Sequence, residues 1–214
     1  MIASQIVKKD TKTRILHPLI LSLFNQGDKK NIAYSVVLYG HPEEGKTTFA
    51  ANLCKLLIGY TGRKGIYFAT DENLRTPFGH RMEKISKADW IYLEYPHPRV
   101  LMAFLNRLRN PEQYCILVVD SITGLFETIA EEYGDPTHPR INLALIRWAS
   151  MITKKLAALS HRYNIVTILI AHKGAMYDDE WLGMKEKPAF SLRSLKNVDV
   201  TLKTIAKKIK KDKT

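Results

Sequence analysis

Two periodicities alternate along this chain. Short apolar, β-branched runs predict strands buried on both faces, and between them lie stretches whose apolar positions recur every three or four residues, as in helices. Residues 16–24 (LHPLILSLF) predict a short apolar helix, followed by a polar turn over 25–31. Residues 34–39 (YSVVLY) predict a buried strand; a glycine-rich turn and a helix over 46–57 follow. A second strand is expected at 65–70 (GIYFAT), a helix at 75–86 and a short strand at 90–93. Residues 100–109 predict a helix, with Leu101, Phe104, Leu105 and Leu108 at helical spacing. Residues 114–120 (YCILVVD) predict a strongly buried strand. Next comes an irregular polar stretch, 127–140, containing Gly134, Pro136 and Pro139. A long amphipathic helix is expected over 141–162, where Leu145, Trp148, Ile152, Leu156 and Leu159 line one face. Residues 164–171 predict another buried strand, 173–196 a second irregular stretch, and 198–205 an edge or final strand.

Strands that are apolar on both faces and alternate with helices imply an α/β fold: a mainly parallel, twisted sheet with helices on both faces. No internal repeat or low-complexity linker divides the chain. We therefore expect one core domain over residues 15–206, flanked by basic segments at 1–14 and 207–214. The two irregular stretches exceed the usual loop length, and loops that long tend to be functional or disordered.

Composition narrows the class without naming a chemistry. The 214 residues are 45% hydrophobic and 25% charged, as in ordinary globular proteins and unlike fibres or disordered chains. Apolar runs such as 165–171 fall far short of the ~20 residues that span a bilayer. Residues 1–10 lack the apolar stretch of a signal peptide, so a soluble, cytoplasmic protein is expected. Cys54 and Cys115 are too few and too far apart for a zinc motif or a disulfide framework, and they read as reduced core thiols. The seven histidines show no metal-ligand spacing, so no structural metal is expected.

Charge is more informative. The 33 Lys and Arg outnumber the 21 Asp and Glu, a formal net charge of +12. Residues 201–214 carry a net +5 and residues 1–14 a net +3, so the two ends hold +8 of the total. Such ends suit a polyanion, most commonly nucleic acid. They would serve equally as solvated tails, and charge alone does not choose between the two.

The sharpest motif is Gly40-His41-Pro42-Glu43-Glu44-Gly45-Lys46-Thr47, which fits G-x-x-x-x-G-K-[ST] and lies between a buried strand and a helix. Each residue type has a physical reason. Gly40 and Gly45 let the backbone bring its N–H groups close to phosphate oxygens. The helix that begins near Lys46 adds a favourable dipole. Lys46 supplies a point charge to the β- and γ-phosphates, and the Thr47 hydroxyl is placed to ligate Mg²⁺. Thr48 is placed to cap the helix or to approach the α-phosphate. Two carboxylates, Glu43 and Glu44, are unusual here: they repel a triphosphate unless they point away, and they raise the expectation of weak binding or slow turnover.

Asp120 ends the apolar strand, at the edge where open α/β sheets bind ligands, and in phosphate-loop enzymes a carboxylate there holds Mg²⁺ through water. Hydrolysis also needs a group that orients water. The end of the second strand offers Glu72, favoured as base, with Asp71 next to it; a solvated turn is the plainer alternative. His172 closes the strand at 165–171 and is a candidate sensor of the γ-phosphate, or simply a hydrogen-bonded residue at a strand end.

Together these segments resemble the RecA/RadA superfamily of ATPases, including archaeal RadA paralogues and KaiC-like proteins, from about residue 15 to residue 208. Residues 117–126 (LVVDSITGLF) are similar to that family's apolar strand followed by Asp-Ser, and residues 67–75 to the strand whose end bears the catalytic Glu. A RadA-like register puts Asp71 on that Glu; a KaiC-like register puts Glu72 there. Residues 165–172 resemble the strand that ends in the polar sensor, and Lys187-Pro188-Ala189 the Lys-Pro before the last core strands. The resemblance implies a RecA-like phosphate-loop core, ATP and Mg²⁺ as ligands, and a nucleotide often shared between subunits of a homo- or hetero-oligomer. It also implies that residues 127–140 and 173–196 stand where the family has two DNA-binding loops. The first is acidic (Glu131, Glu132, Asp135). The second is mixed, holding Asp178, Asp179 and Glu180 but also Lys173, Lys185, Lys187, Arg193 and Lys196, with Trp181 and Phe190 able to stack on bases or to anchor in a partner's groove; of the two, it alone reads as a nucleic-acid contact. Lys203 and Lys207 are candidates for acting across a subunit interface.

With about 15 residues ahead of the core and no recognisable polymerisation motif, the expectation is a paralogue or accessory ATPase rather than a strand-exchange recombinase. The resulting expectation is an ATP-hydrolysing protein that binds DNA, single-stranded in preference, and assists recombination or repair, with a recombinase or another RecA-fold protein as a possible partner. The rival is a KaiC-like regulatory or assembly ATPase read by a protein partner, with little turnover.

Overall fold

The structure is a computed structural model; it describes residues 35–41, 43–70, 89–94, 97–133, 139–172 and 199–203. The elements expected at 16–24 and 75–86, and the irregular stretch at 173–196, lie outside the described residues. Strand β1 (Ser35–Gly40) leads through the glycine-rich turn into helix α1 (Lys46–Thr61). Strands β2 (Lys64–Ala69) and β3 (Trp90–Glu94) follow, then helix α2 (Pro98–Asn106). Strand β4 (Tyr114–Asp120) precedes helices α3 (Ile122–Tyr133) and α4 (Pro139–Tyr163), then strands β5 (Val166–His172) and β6 (Val200–Lys203).

The six strands form one sheet in the order β3-β2-β4-β5-β1-β6, and every pair is parallel. This is the parallel α/β arrangement, with helices on both faces, expected from the alternation of strands and helices. The final strand sits at an edge beside β1, as expected. One face is covered by α1, whose Ala50, Leu53, Cys54 and Leu57 pack on Leu38, Ile116, Val118, Ile168 and Ile170. The opposite face is covered by α2, α3 and α4, through Leu101, Leu105, Leu125, Ile129, Ile152 and Leu156, packed on Val37, Phe68, Leu117 and Val119. The central strands are thus buried on both sides, which is why they read as continuous apolar runs. Each fully buried Leu or Ile contributes roughly 1.5–3 kcal/mol.

One stretch differs from its sequence-based expectation. Residues 127–133 were expected to be irregular, yet they complete helix α3, and α4 already begins at Pro139. The reason is periodicity that the polar count obscured. Ile122, Leu125, Phe126 and Ile129 are buried one helical turn apart, whereas Glu127, Glu131 and Glu132 are exposed. Proline at the first position of α4 is compatible with a helix start, because its missing N–H would have no intrahelical partner there.

The β2–β4 register also shifts. Lys64 pairs with Tyr114 but Gly65 pairs with Ile116, so Cys115 is an extra residue. This bulge turns Cys115 and Ile116 to the same side, under α1. Cys54 and Cys115 are both free and buried, as expected. Beneath the sheet's amino edge, the Arg63 guanidinium donates to the carbonyls of Glu112, Tyr114, Tyr163 and Asn164, tying three segments of the chain together.

Candidate nucleotide site

The carboxyl edge of the sheet is where the candidate residues converge. Strand β1 exits towards α1 on one face and β4 exits towards α3 on the other, with the end of β5 between them. Open parallel sheets bind ligands at such a divergence, because it leaves a crevice.

The turn from β1 to α1 is built around backbone conformations that admit few residues. Gly45 is the N-cap of α1 with φ 81°, a left-handed conformation that disfavours any residue with a Cβ, and Phe49 N–H donates to its carbonyl at 2.8 Å. No side chain caps this helix end and its first turn holds no acidic residue. The first-turn N–H groups of a 16-residue helix therefore face the loop with a favourable dipole for an anion. Space above Gly45 is open: a Cβ placed there would meet nothing within 4 Å.

Lys46 is buried, and its ammonium donates to the carbonyls of Gly40 at 3.1 Å and His41 at 2.5 Å. The charge is thus held over the loop, where burial without such acceptors would be costly. Glu44 Oε2 accepts from the loop's own His41 N–H at 2.7 Å, and Glu43 is exposed with φ 64°. Glu44 is thus bonded within the motif, to one of the loop's own backbone N–H groups. Pro42 lies outside the described residues.

Across the crevice, the Thr47 hydroxyl donates to Asp120 Oδ2 at 2.8 Å. This contact joins the first turn of α1 to the end of β4, residues 73 positions apart in sequence. Asp120 is only 7% exposed. A hydroxyl and a carboxylate are hard oxygen donors, the kind magnesium uses together with phosphate oxygens and water. Among the described residues no three His, Cys, Asp or Glu side chains converge on a point, so there is no all-protein metal cage there. The donor set fits Mg²⁺ delivered with a nucleotide.

His172 ends β5 in register with Gly40, the first residue of the motif. Its backbone N–H donates to Thr123 Oγ1 at 3.0 Å, which ties the strand end to α3. Gly40, His41, Gly45, Lys46, Thr47, Thr48, Asp120 and His172 are thus gathered along one edge of the sheet. Asp71 and Glu72 lie outside the described residues, as do Lys173, Lys185, Lys187, Arg193 and Lys196.

Sequence reasoning missed two side chains at this edge. Tyr67 donates its phenol to Asp120 Oδ2 at 2.5 Å. Thr70 brackets Ser121: its hydroxyl accepts from Ser121 N–H at 2.6 Å and donates to Ser121 O at 2.7 Å, while Thr70 N–H donates to Asp120 O at 2.6 Å. The only signal available in the sequence was that both are polar groups near the end of an apolar strand. Their partners follow from the β2–β4 register, which no local pattern encodes. Ser121 in turn accepts from Gly124 N–H at 3.1 Å through its hydroxyl, capping the start of α3.

No protein-family model matches the chain, and no curated protein matches it in sequence. Among solved structures, a KaiC-like protein from the hyperthermophilic archaeon Pyrococcus horikoshii OT3 is similar over 65% of this chain, at 21% identity and a TM-score of 0.49. The match spans 61% of that protein's length, and nothing about the site is carried over from it. Among the described residues no helix is long and apolar enough to cross a membrane.

Proposed function

We propose that this chain is a phosphate-loop ATPase of RecA-like fold that binds ATP with Mg²⁺ at the carboxyl edge of its sheet. The observation that carries the reading is the 2.8 Å contact between Thr47 Oγ1 and Asp120 Oδ2 beside the uncapped start of α1. In support, this contact brings the motif's hydroxyl and the distant carboxylate close enough for one cation to meet both, directly or through water. In this reading the N–H groups around Gly45, Lys46, Thr47 and Thr48 hold the β-phosphate, and the Lys46 ammonium leaves its loop carbonyls for the β- and γ-oxygens. Thr47 and, through water, Asp120 would hold magnesium, which would supply charge stabilisation during transfer. Asp71 or Glu72 orients the attacking water; in support, Thr70 is bonded to Asp120 and Ser121 immediately before them. His172, level with Gly40, is the residue that would register the γ-phosphate.

Calorimetry with ATP in magnesium buffer tests the binding. Heat that is abolished in Lys46→Ala supports the reading; an unaltered heat in that variant overturns it. Turnover lost in Glu72→Gln but kept in Asp71→Asn, or the reverse, identifies the base.

Two kinds of reader for the nucleotide state remain distinct. The DNA reading, with a role in recombination or repair, is favoured by the net charge of +12 and its concentration at the chain ends. The KaiC-like reading, a switch or assembly ATPase addressed by a protein, is favoured by helix α3. Glu127, Glu131 and Glu132 belong to a packed helix with an acidic outer face rather than to a DNA-binding loop. The basic stretch 173–196, on which the DNA reading rests together with the chain ends, lies outside the described residues, and both readings stand as proposals. Single-stranded DNA affinity measured against salt separates the two: each phosphate contact contributes a log–log slope of about −0.7. A slope near zero removes the DNA role, and a steep one restores it.

A further inference from the structure

We propose that Tyr67 is a positioning residue for magnesium, acting through Asp120; the proposal rests on the phosphate-loop reading of the site. Strand β2 lies next to β4 with Tyr67 opposite Val118, so its side chain shares the α1 face with Val118 and Asp120. From one pleat below, its phenol reaches Asp120 Oδ2 at 2.5 Å, the short separation of a charge-assisted O–H···O⁻ bond. The same oxygen accepts from Thr47.

Those two donors differ in what a cation would ask of them. The Thr47 hydroxyl would offer a lone pair to the metal while its proton can still serve Oδ2, whereas the phenol would act as a donor alone. Tyr67 is also prevented from following a carboxylate that swings. Its ring is 1% exposed and stacks on Tyr92, with centroids 6.0 Å apart and planes inclined by 13°. Tyr92 is itself braced by an edge-on contact with Trp90 at 5.3 Å. A rigid donor on Oδ2 leaves Oδ1 as the oxygen presented to a metal-bound water, and it opposes rotation of Asp120 into direct contact with the ion. The plainer role, a buried phenol that merely needs an acceptor, predicts an effect on stability and none on metal dependence.

The affinity for ATP, measured by calorimetry with excess Mg²⁺ and again with EDTA, separates these roles. In Tyr67→Phe the gain in affinity due to Mg²⁺ is expected to shrink about tenfold, the scale of one hydrogen bond to a charged group. Affinity in EDTA stays as in the wild type. A variant that keeps the full magnesium gain, or that loses affinity equally in both buffers, overturns the proposal. Wild-type protein that binds no ATP in either buffer overturns the nucleotide reading itself, which is a different result. Should Tyr67→Phe fail to fold, Tyr92→Leu removes the stack from a half-buried edge strand and keeps the phenol. A smaller loss of magnesium gain, about threefold for a stack worth part of such a bond, supports the proposal; an unchanged gain in Tyr92→Leu overturns it.

Discussion

Replacing Thr70 by Val keeps the size and branching of the side chain and removes one hydroxyl. That hydroxyl makes two bonds to a single residue, accepting from Ser121 N–H at 2.6 Å and donating to Ser121 O at 2.7 Å. Ser121 is 0% exposed, so water does not reach it to substitute. Two such bonds at about 1–1.5 kcal/mol each give a loss of roughly 2–3 kcal/mol. For a domain of this size, each kcal/mol lowers Tm by about 2–4 °C, so a fall of about 5–10 °C is expected. Thermal unfolding followed by circular dichroism reads it directly. Thr70→Ser, which keeps the hydroxyl, should stay within about 1 kcal/mol of the wild type. Because the bonded peptide follows Asp120, Thr70→Val should also weaken the magnesium-dependent part of ATP binding more than the part measured in EDTA. A Thr70→Val protein that melts with the wild type would refute the claim that this hydroxyl holds the ends of β2 and β4 together.

Three other outcomes follow from the packing. Arg63→Met should cost about 2–3 kcal/mol, since a charged donor shared among four carbonyls is lost, and Arg63→Lys should recover less than half because an ammonium lacks the planar fork; equal melting of Lys and Arg forms would contradict this. Gly45→Ala should destabilise by a net of about 1 kcal/mol in chemical denaturation, through φ 81° rather than through any clash, and unchanged stability would show that the turn readily adopts another backbone path. Burial pushes both thiols up from their ordinary value of 9.0, with Cys115 adding to the shift at Cys54. Thiols kept neutral in the fold contribute stability that is complete below that value and lost as pH rises beyond it. Native protein should therefore resist alkylation that denatured protein undergoes, and labelling of native Cys54 at the denatured rate would disprove its burial.

The strands were legible because a parallel sheet covered on both sides leaves almost no polar position in its strands. Residues 114–120 and the β1 run could scarcely be anything else, and the phosphate-loop motif fell between a strand and a helix, as its chemistry demands. Helix α3 was obscured because its acids and a following Gly-Asp-Pro sequence look like loop composition. Only burial of Ile122, Leu125, Phe126 and Ile129 along one side reveals the amphipathic face.

By itself, the sequence determined where the phosphate-loop motif lies and where along the chain strands give way to helices. Both are local properties, written in periodicity and in the few residues that tolerate a tight turn. The tertiary structure alone decided which distant side chains touch. Strand order and register place Tyr67 and Thr47 on the same oxygen of Asp120 and set His172 level with Gly40. Such pairings depend on how far one strand slides along the next, and a slip of one residue between β2 and β4 would turn Tyr67 to the opposite face from Asp120.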